Sequence, residues 1–225
     1  NADVNIDECY WDGSEPTLGE GKGTNILIEG IEYAPITYYE DEEMTQLTTT
    51  SNAVAKVGED YYTDLQAAID AAEPGATVKL VKDIVIKKTI HAPYVKWSVL
   101  VEKSLTIDGQ GHTVESDTDD TGKNFRGEIL LLGGDTPDDT RNVTVKNLTV
   151  KTDSRGIQTG GGYINLTLDG VTLDTTEGTG NTQTLTIGGV QKDTTDVVIK
   201  NSKISSNKTG YAVIVFNPVN MTIEN

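Results

Sequence analysis

Val143-Thr-Val145-Lys-Asn147-Leu148-Thr-Val150 is the phrase that decides how this chain folds. Leu166-Thr-Leu168-Asp-Gly170-Val171-Thr-Leu173 and Val197-Val-Ile199-Lys-Asn201-Ser202-Lys-Ile204 repeat it, and Met221-Thr-Ile223-Glu-Asn225 starts it once more. Upstream, Leu105-Thr-Ile107-Asp-Gly109 opens the same phrase. Val4-Asn-Ile6-Asp-Glu8-Cys9-Tyr-Trp11 and Ile26-Leu-Ile28-Glu-Gly30-Ile31-Glu-Tyr33 follow the template near the other terminus. Successive phrases begin 22 residues apart from Val4 to Ile26, 23 from Val143 to Leu166, 31 from Leu166 to Val197 and 24 from Val197 to Met221. A recurrence of this size marks a solenoid.

Two alternating apolar residues make a strand too short to stand alone. The central Asn or Gly accepts a left-handed backbone at least cost, so the chain bends there and starts another short strand. A parallel return normally needs a dozen or more residues. The repeat leaves room for that return and for a third strand, with each inward residue stacking on its equivalent one turn away. The third strands are expected at Glu128 to Leu132, Gly156 to Thr159, Thr184 to Ile187 and Tyr211 to Phe216. A leucine-rich repeat would need a Leu consensus and a helical or convex segment, which the phrases lack.

With these residues in view the chain resembles the right-handed parallel β-helix of the pectin-lyase-like superfamily, and in particular the non-catalytic β-helix repeats of bacterial cell-surface proteins. The fold class expected is all-β, a solenoid with one short N-terminal capping α-helix at 63–73. The stretch from Tyr62 to Val78 is similar to the capping helix and first strand of such domains, and Leu105 to Val114 to their first complete turn. The helix also stands on its own chemistry: Thr63 with Gln66 forms a capping box, and Leu65, Ala68, Ile69 and Ala72 share one face.

Composition agrees. The 225 residues carry a formal net charge of −17, which argues against nucleic acid and anionic membrane surfaces as partners. No apolar run approaches a membrane span, so membrane insertion is not expected. No leader is legible, so any export signal would lie outside this sequence. Cys9 is the single cysteine and excludes an internal disulfide. The expectation is an extracellular or bacterial cell-surface location. Asn142, Asn147, Asn165, Asn207 and Asn220 each open an Asn-x-Thr triplet, which Asn corners followed by Thr-rich strands generate without glycosylation.

The cap-like sequence begins only near Val54. Residues 1–53 are therefore expected to hold β-helix turns and a closing segment, either the tail of a preceding repeat or a permuted C-terminal part, with 54–225 as the β-helix domain. Val4 to Tyr33 is expected to pack on the C-terminal end of the stack, within one chain or head to tail between copies.

Enzymes of the superfamily cut polysaccharides in a groove along the sheet of third strands, using an Arg or Lys base with calcium or several Asp residues. Period-two alternation puts Leu130, Gln158, Thr186, Val213 and Val215 on that groove face, and none of them ionises. Arg155, Glu128 and Arg126, just before or at the starts of these strands, are the catalytic candidates if the protein is an enzyme, although edge charges are the plainer reading. His112 sits in a recurrent phrase of the fold and is read as structural. Asp117-Thr-Asp119-Asp120-Thr-Gly122 and on to Glu128 matches much of a calcium loop, with Asp117, Asp119 and Glu128 as ligands. Thr121 and Asn124 depart from the pattern, and a solvated acidic turn is favoured. No cofactor other than this calcium is expected. Two functions follow: a non-catalytic surface module acting as spacer or as platform for glycans or host surfaces, and, second, a polysaccharide lyase or glycoside hydrolase.

Overall fold

The computed structural model describes residues 9–10, 38–39, 53–86, 89–92, 95–116, 125–188 and 194–224. The chain forms two compact units, Asn1–Ala53 and Val54–Asn225. In the first, β1 (Cys9–Tyr10) and β2 (Tyr38–Tyr39) pair in parallel, Cys9 opposite Tyr38. The remainder of the Val4 and Ile26 phrases, and with it the expected packing of Val4 to Tyr33, lies outside the described residues.

The second unit is all-β with parallel sheets and one α-helix. It opens with an antiparallel hairpin, β3 (Ala55–Val57) and β4 (Asp60–Tyr62), turned at Gly58. The helix α1 (Leu65–Ala71) follows. Its Leu65, Ala68 and Ile69 are buried, as the one-faced apolar pattern requires. The cap differs from the expected box. Asp64, not Thr63, is the N-cap, its Oδ1 accepting the Ala67 N–H at 2.8 Å. Gln66 turns outward from the helix instead: its Oε1 accepts the Leu100 N–H at 2.7 Å and its Nε2 donates to the Leu100 carbonyl at 2.9 Å. A glutamine that satisfies a sheet edge in this way is unavailable to reach back to the cap.

From Thr77 onward the chain visits three sheets in turn. The first pass is β5 (Thr77–Leu80), β6 (Ile84–Ile86), then β7 (Thr89–Ala92) with β8 (Val95–Val101). The second is β9 (Leu105–Asp108), β10 (Thr113–Ser116) and β11 (Phe125–Leu132). The third is β12 (Arg141–Lys146), β13 (Thr149–Lys151) and β14 (Arg155–Gly161). The fourth is β15 (Ile164–Asp169), β16 (Thr172–Thr175) and β17 (Gln183–Ile187). The fifth is β18 (Thr194–Lys200), β19 (Lys203–Ser206) and β20 (Tyr211–Val215), and β21 (Asn220–Glu224) starts another. Sheet I is thus β21-β18-β15-β12-β9-β5-β3-β4, sheet II β19-β16-β13-β10-β6, and sheet III β20-β17-β14-β11-β8-β7. Successive passes pair in parallel; only the hairpin, its junction with β5, and β7 with β8 are antiparallel among the named strands.

Register makes the core. Val78, Ile107, Val145, Leu168 and Ile199 pair in one file of sheet I and are all buried. Sheet II adds Val114, Val150 and Leu173, and sheet III adds Val99, Ile129, Ile157 and Leu185. Each such side chain contributes roughly 1.5–3 kcal/mol on leaving water, set against the ordering of its segment.

The corners follow the phrase. Asn147, Gly170 and Asn201 have φ of 49°, 66° and 50°. Asn tolerates this left-handed region better than other side chains, which is why it alternates with Gly here. The corner after β9 is built differently: Gln110 and Gly111 carry the positive φ. Gly109 is required there for space, since a Cβ would stand 2.5 Å from the Asn147 carbonyl oxygen of the next pass.

Candidate functional site

The outer file of sheet III was the expected groove face. Leu100, Leu130, Gln158, Thr186 and Ile214 are in register along it. Leu130, Gln158 and Thr186 are 4%, 4% and 1% exposed. The face that alternation places outward is therefore covered at these three positions rather than open to a polymer. Gln158 Oε1 and Thr186 Oγ1 are buried without a hydrogen-bond partner among the described residues. Val213 and Val215 belong to the other phase. They pair with the buried Leu185 and Ile187, so they continue the inward files, and Ile214 takes the outward place. Tyr211-Ala-Val-Ile-Val-Phe216 is apolar at every position, and alternation carries no phase in such a run.

Arg155 opens β14, half-buried, and Arg126 and Glu128 lie on the neighbouring β11, so all three candidate catalytic residues sit on two adjacent strands of one sheet. The side chains of Arg126 and Glu128, and the calcium-loop residues Asp117 and Asp119, lie outside the described residues. Among the described residues no group of three or more His, Cys, Asp or Glu is placed to hold a metal ion. His112 joins two passes: its Nδ1 lies 3.2 Å from Asp83 Oδ1, which also accepts the Thr113 N–H at 2.8 Å. The Thr113 N–H and then His112 hold the Asp83 carboxyl below its usual range. The sequon asparagines are in hydrogen bonds within the stack. Asn165 donates to Asn142, Asn147 to Asp108, Asn207 to the Gly178 and Gly180 carbonyls, and Asn220 to Asp196.

Among the described residues, pockets flank the sheets. One, about 350 Å³, has the register-paired Glu115, Lys151 and Asp174 on its wall with Asp153 and Glu177 beside them, over a buried hydroxyl pair, Ser116 to Thr152 at 3.1 Å. Another, about 490 Å³, lies where α1 meets Ile84 to Ile86 and Ser98.

The most ordered polar feature is a file at the C-terminal ends of β5, β9, β12, β15, β18 and β21 in sheet I. Lys79, Asp108, Lys146, Asp169, Lys200 and Glu224 form one file in register, alternating in sign at every step. Lys146 Nζ reaches Asp108 Oδ2 at 3.2 Å while Asn147 Nδ2 donates to its Oδ1 at 3.2 Å. Two passes later, Lys200 Nζ reaches Asp169 Oδ2 at 3.2 Å and Asn201 Nδ2 donates to its Oδ1 at 2.9 Å. Each Asp is thus gripped on both oxygens by the Lys-Asn pair of the following pass. Burial works against ionisation of Asp108, but the Gln110 N–H, Asn147, the Gln110 side chain and Lys146 outweigh it and hold its carboxyl low. Asn201 and Lys200 do the same for Asp169. The signal was present in the sequence as Asp-Gly and Lys-Asn dipeptides alternating at the corners, but only register turns the alternation into contacts.

No protein-family model matches this chain, and neither does any curated protein or solved structure. Among the described residues no helix is long and apolar enough to cross a membrane.

Proposed function

We propose that Val54–Asn225 is a right-handed parallel β-helix resembling the pectin-lyase-like superfamily. In this reading it serves as a non-catalytic module of an extracellular or bacterial cell-surface protein, a stiff spacer that presents glycan- or host-surface-binding segments. The observation that carries this reading is the outer file of sheet III, which is uncharged from Leu100 to Ile214 and closed at Leu130, Gln158 and Thr186. General acid–base cleavage of a polysaccharide needs titratable groups within hydrogen-bond reach of the scissile bond, and this file offers none. Stiffness follows from the ladders: every pass is tied to the next in three sheets, at about 4.8 Å per pass. The glycan platform then lies away from Leu130, Gln158 and Thr186, on surfaces such as the Glu115–Lys151–Asp174 wall.

The lyase or hydrolase reading rests on one observation, the placement of Arg155 and Glu128 on adjacent strands. Incubation with acidic and neutral polysaccharides, with and without calcium, separates the two. The module reading expects no time-dependent release of unsaturated or reducing ends. Release that disappears in Arg155→Ala or Glu128→Gln overturns it.

A further inference from the structure

The pocket of about 490 Å³ where α1, β6 and β8 meet holds groups that the stack does not use. β6 is the end strand of sheet II, and its Ile84, Val85 and Ile86 form an apolar strip in the wall, joined by Val99 of β8. Val85 is exposed, while Ile84 and Val99 are buried. Polar groups enter the wall from two elements: Thr63 and Asp64 precede α1, and Ser98 lies on β8. Ser98 is 7% exposed, and among the described residues its Oγ has no hydrogen-bond partner. Natural folds seldom keep a buried hydroxyl unpaired, because its desolvation is then uncompensated. Gln66, also in the wall, is fully engaged: its amide bonds to Leu100 and Asp70. Asp64 uses only Oδ1, on the Ala67 N–H, so its Oδ2 is uncommitted among the described residues. It is also the one charged residue among those described in the wall.

We propose that this pocket binds one uncharged pyranose unit of a glycan, an inference that rests on the glycan-platform reading and gives it a place. A pyranose carries an apolar C–H face and hydroxyls around its rim, and the volume suits a ligand of that size. The Ile84–Ile86 strip takes the C–H face and Thr63 and Asp64 Oδ2 take rim hydroxyls. The Ser98 hydroxyl turns about its Cα–Cβ bond to another staggered position and takes a further one. Asp64 sets the class of sugar. A carboxylate only accepts, so it favours hydroxyl donors, and it repels the carboxylate of a uronate. An aliphatic amine has a single polar end, so it answers Asp64 and leaves Ser98 unmet.

The test is an NMR titration of the full chain with methyl β-glucopyranoside, glucuronate and butylamine, followed at the backbone amides. The glucoside is expected to shift Val85, Ile86 and Ser98, and glucuronate to bind about tenfold more weakly or worse. Ser98→Ala is expected to weaken glucoside binding about tenfold while melting no lower than the parent, since the hydroxyl it removes is unpaired. Asp64→Asn keeps the helix cap and removes the charge, so it is expected to bring glucuronate to the affinity of the glucoside. No shift of these amides by the glucoside, butylamine binding in its place, undiminished affinity in Ser98→Ala, or an unchanged preference in Asp64→Asn overturns the proposal. A glycan array separates the pocket from the wider reading. Array binding that persists in Ser98→Ala, while the pocket amides stay unshifted, removes the pocket and leaves the platform elsewhere on the stack. An array blank for parent and variant, together with unshifted amides, removes both.

Discussion

The outer corner file of sheet I runs Lys79, Asp108, Lys146, Asp169, Lys200, Glu224, whereas the outer file of sheet III runs Leu100, Leu130, Gln158, Thr186, Ile214. Both are made the same way, by stacking one residue per pass. In sheet I like charges never meet, so each addition to the stack is attractive and the file specifies which strand follows which. In sheet III the file is neutral, and buried at Leu130, Gln158 and Thr186, and it specifies little beyond volume. The difference teaches that charge pairs successive passes at the corner of sheet I, whereas side-chain volume fills the equivalent place in sheet III.

The largest effect expected tests the frame common to both files. Leu168→Ala empties a fully buried place in the sheet I core, and chemical denaturation is expected to show a loss of about 2–5 kcal/mol. An equal loss from Ile214→Ala, which is only partly buried, would mean that the two files are not distinguished as described. Next in size is Asn147→Val, expected to cost about 1–2 kcal/mol because a β-branched residue is strained at φ 49°. Asn147→Gly removes the strain and keeps only the loss of the amide contact to Asp108, so it is expected to cost less.

Sheet III supplies the opposite sign. Thr186→Val replaces a buried hydroxyl that has no partner among the described residues by a methyl group of the same shape, and is expected to stabilise by about 1 kcal/mol. Destabilisation of that size would show that the Thr186 hydroxyl is engaged and that the neutral file carries a polar function.

The smallest effect is the pH response of sheet I. Asp108 and Asp169 titrate below their ordinary range in the fold, so the unfolded chain binds their protons first as pH falls. Their contribution is present above the unfolded value, about 3.9, and is lost as pH drops through the lower folded values. Thermal melts are expected to fall in that acid window, and Asp108→Asn should flatten part of the fall. A melt unchanged from pH 5 to pH 2, or one equally steep in Asp108→Asn, would remove the clamp from the account.

Much of this frame was legible. The phrase from Val143 to Val150 carries its own period, and the residues expected to stack, Ile107, Val145, Leu168 and Ile199, do pair in one file. The left-handed corners fell at Asn147, Gly170 and Asn201 because few residue types tolerate that backbone. What sequence missed was set by contacts between distant residues. Gln66 looked like half of a capping box, but it bonds to Leu100, 34 positions away. Val213 and Val215 were assigned the wrong face because their strand is uniformly apolar, and only pairing with Leu185 and Ile187 fixes its phase. Gln158 and Thr186 look solvent-facing by type, yet they are buried. The antiparallel hairpin before α1, which covers one edge of sheet I, was also unread; its Val57-Gly58-Glu59 turn is too short a signal to separate from a loop.

The central claim is that each pass lays one strand in register on the last, and disulfide trapping tests it most directly. In a Cys9→Ser background, cysteines are placed at Thr144 and Thr167, which are direct partners on β12 and β15, or at Thr144 and Val198, which are two passes apart. Neighbouring parallel strands stand about 4.8 Å apart, inside the span a disulfide bridges, and strands two passes apart stand at about twice that, outside it. The account predicts rapid oxidation of the 144–167 pair and none of the 144–198 pair. Bridging of 144–198, or failure of 144–167 in a folded protein, would contradict it.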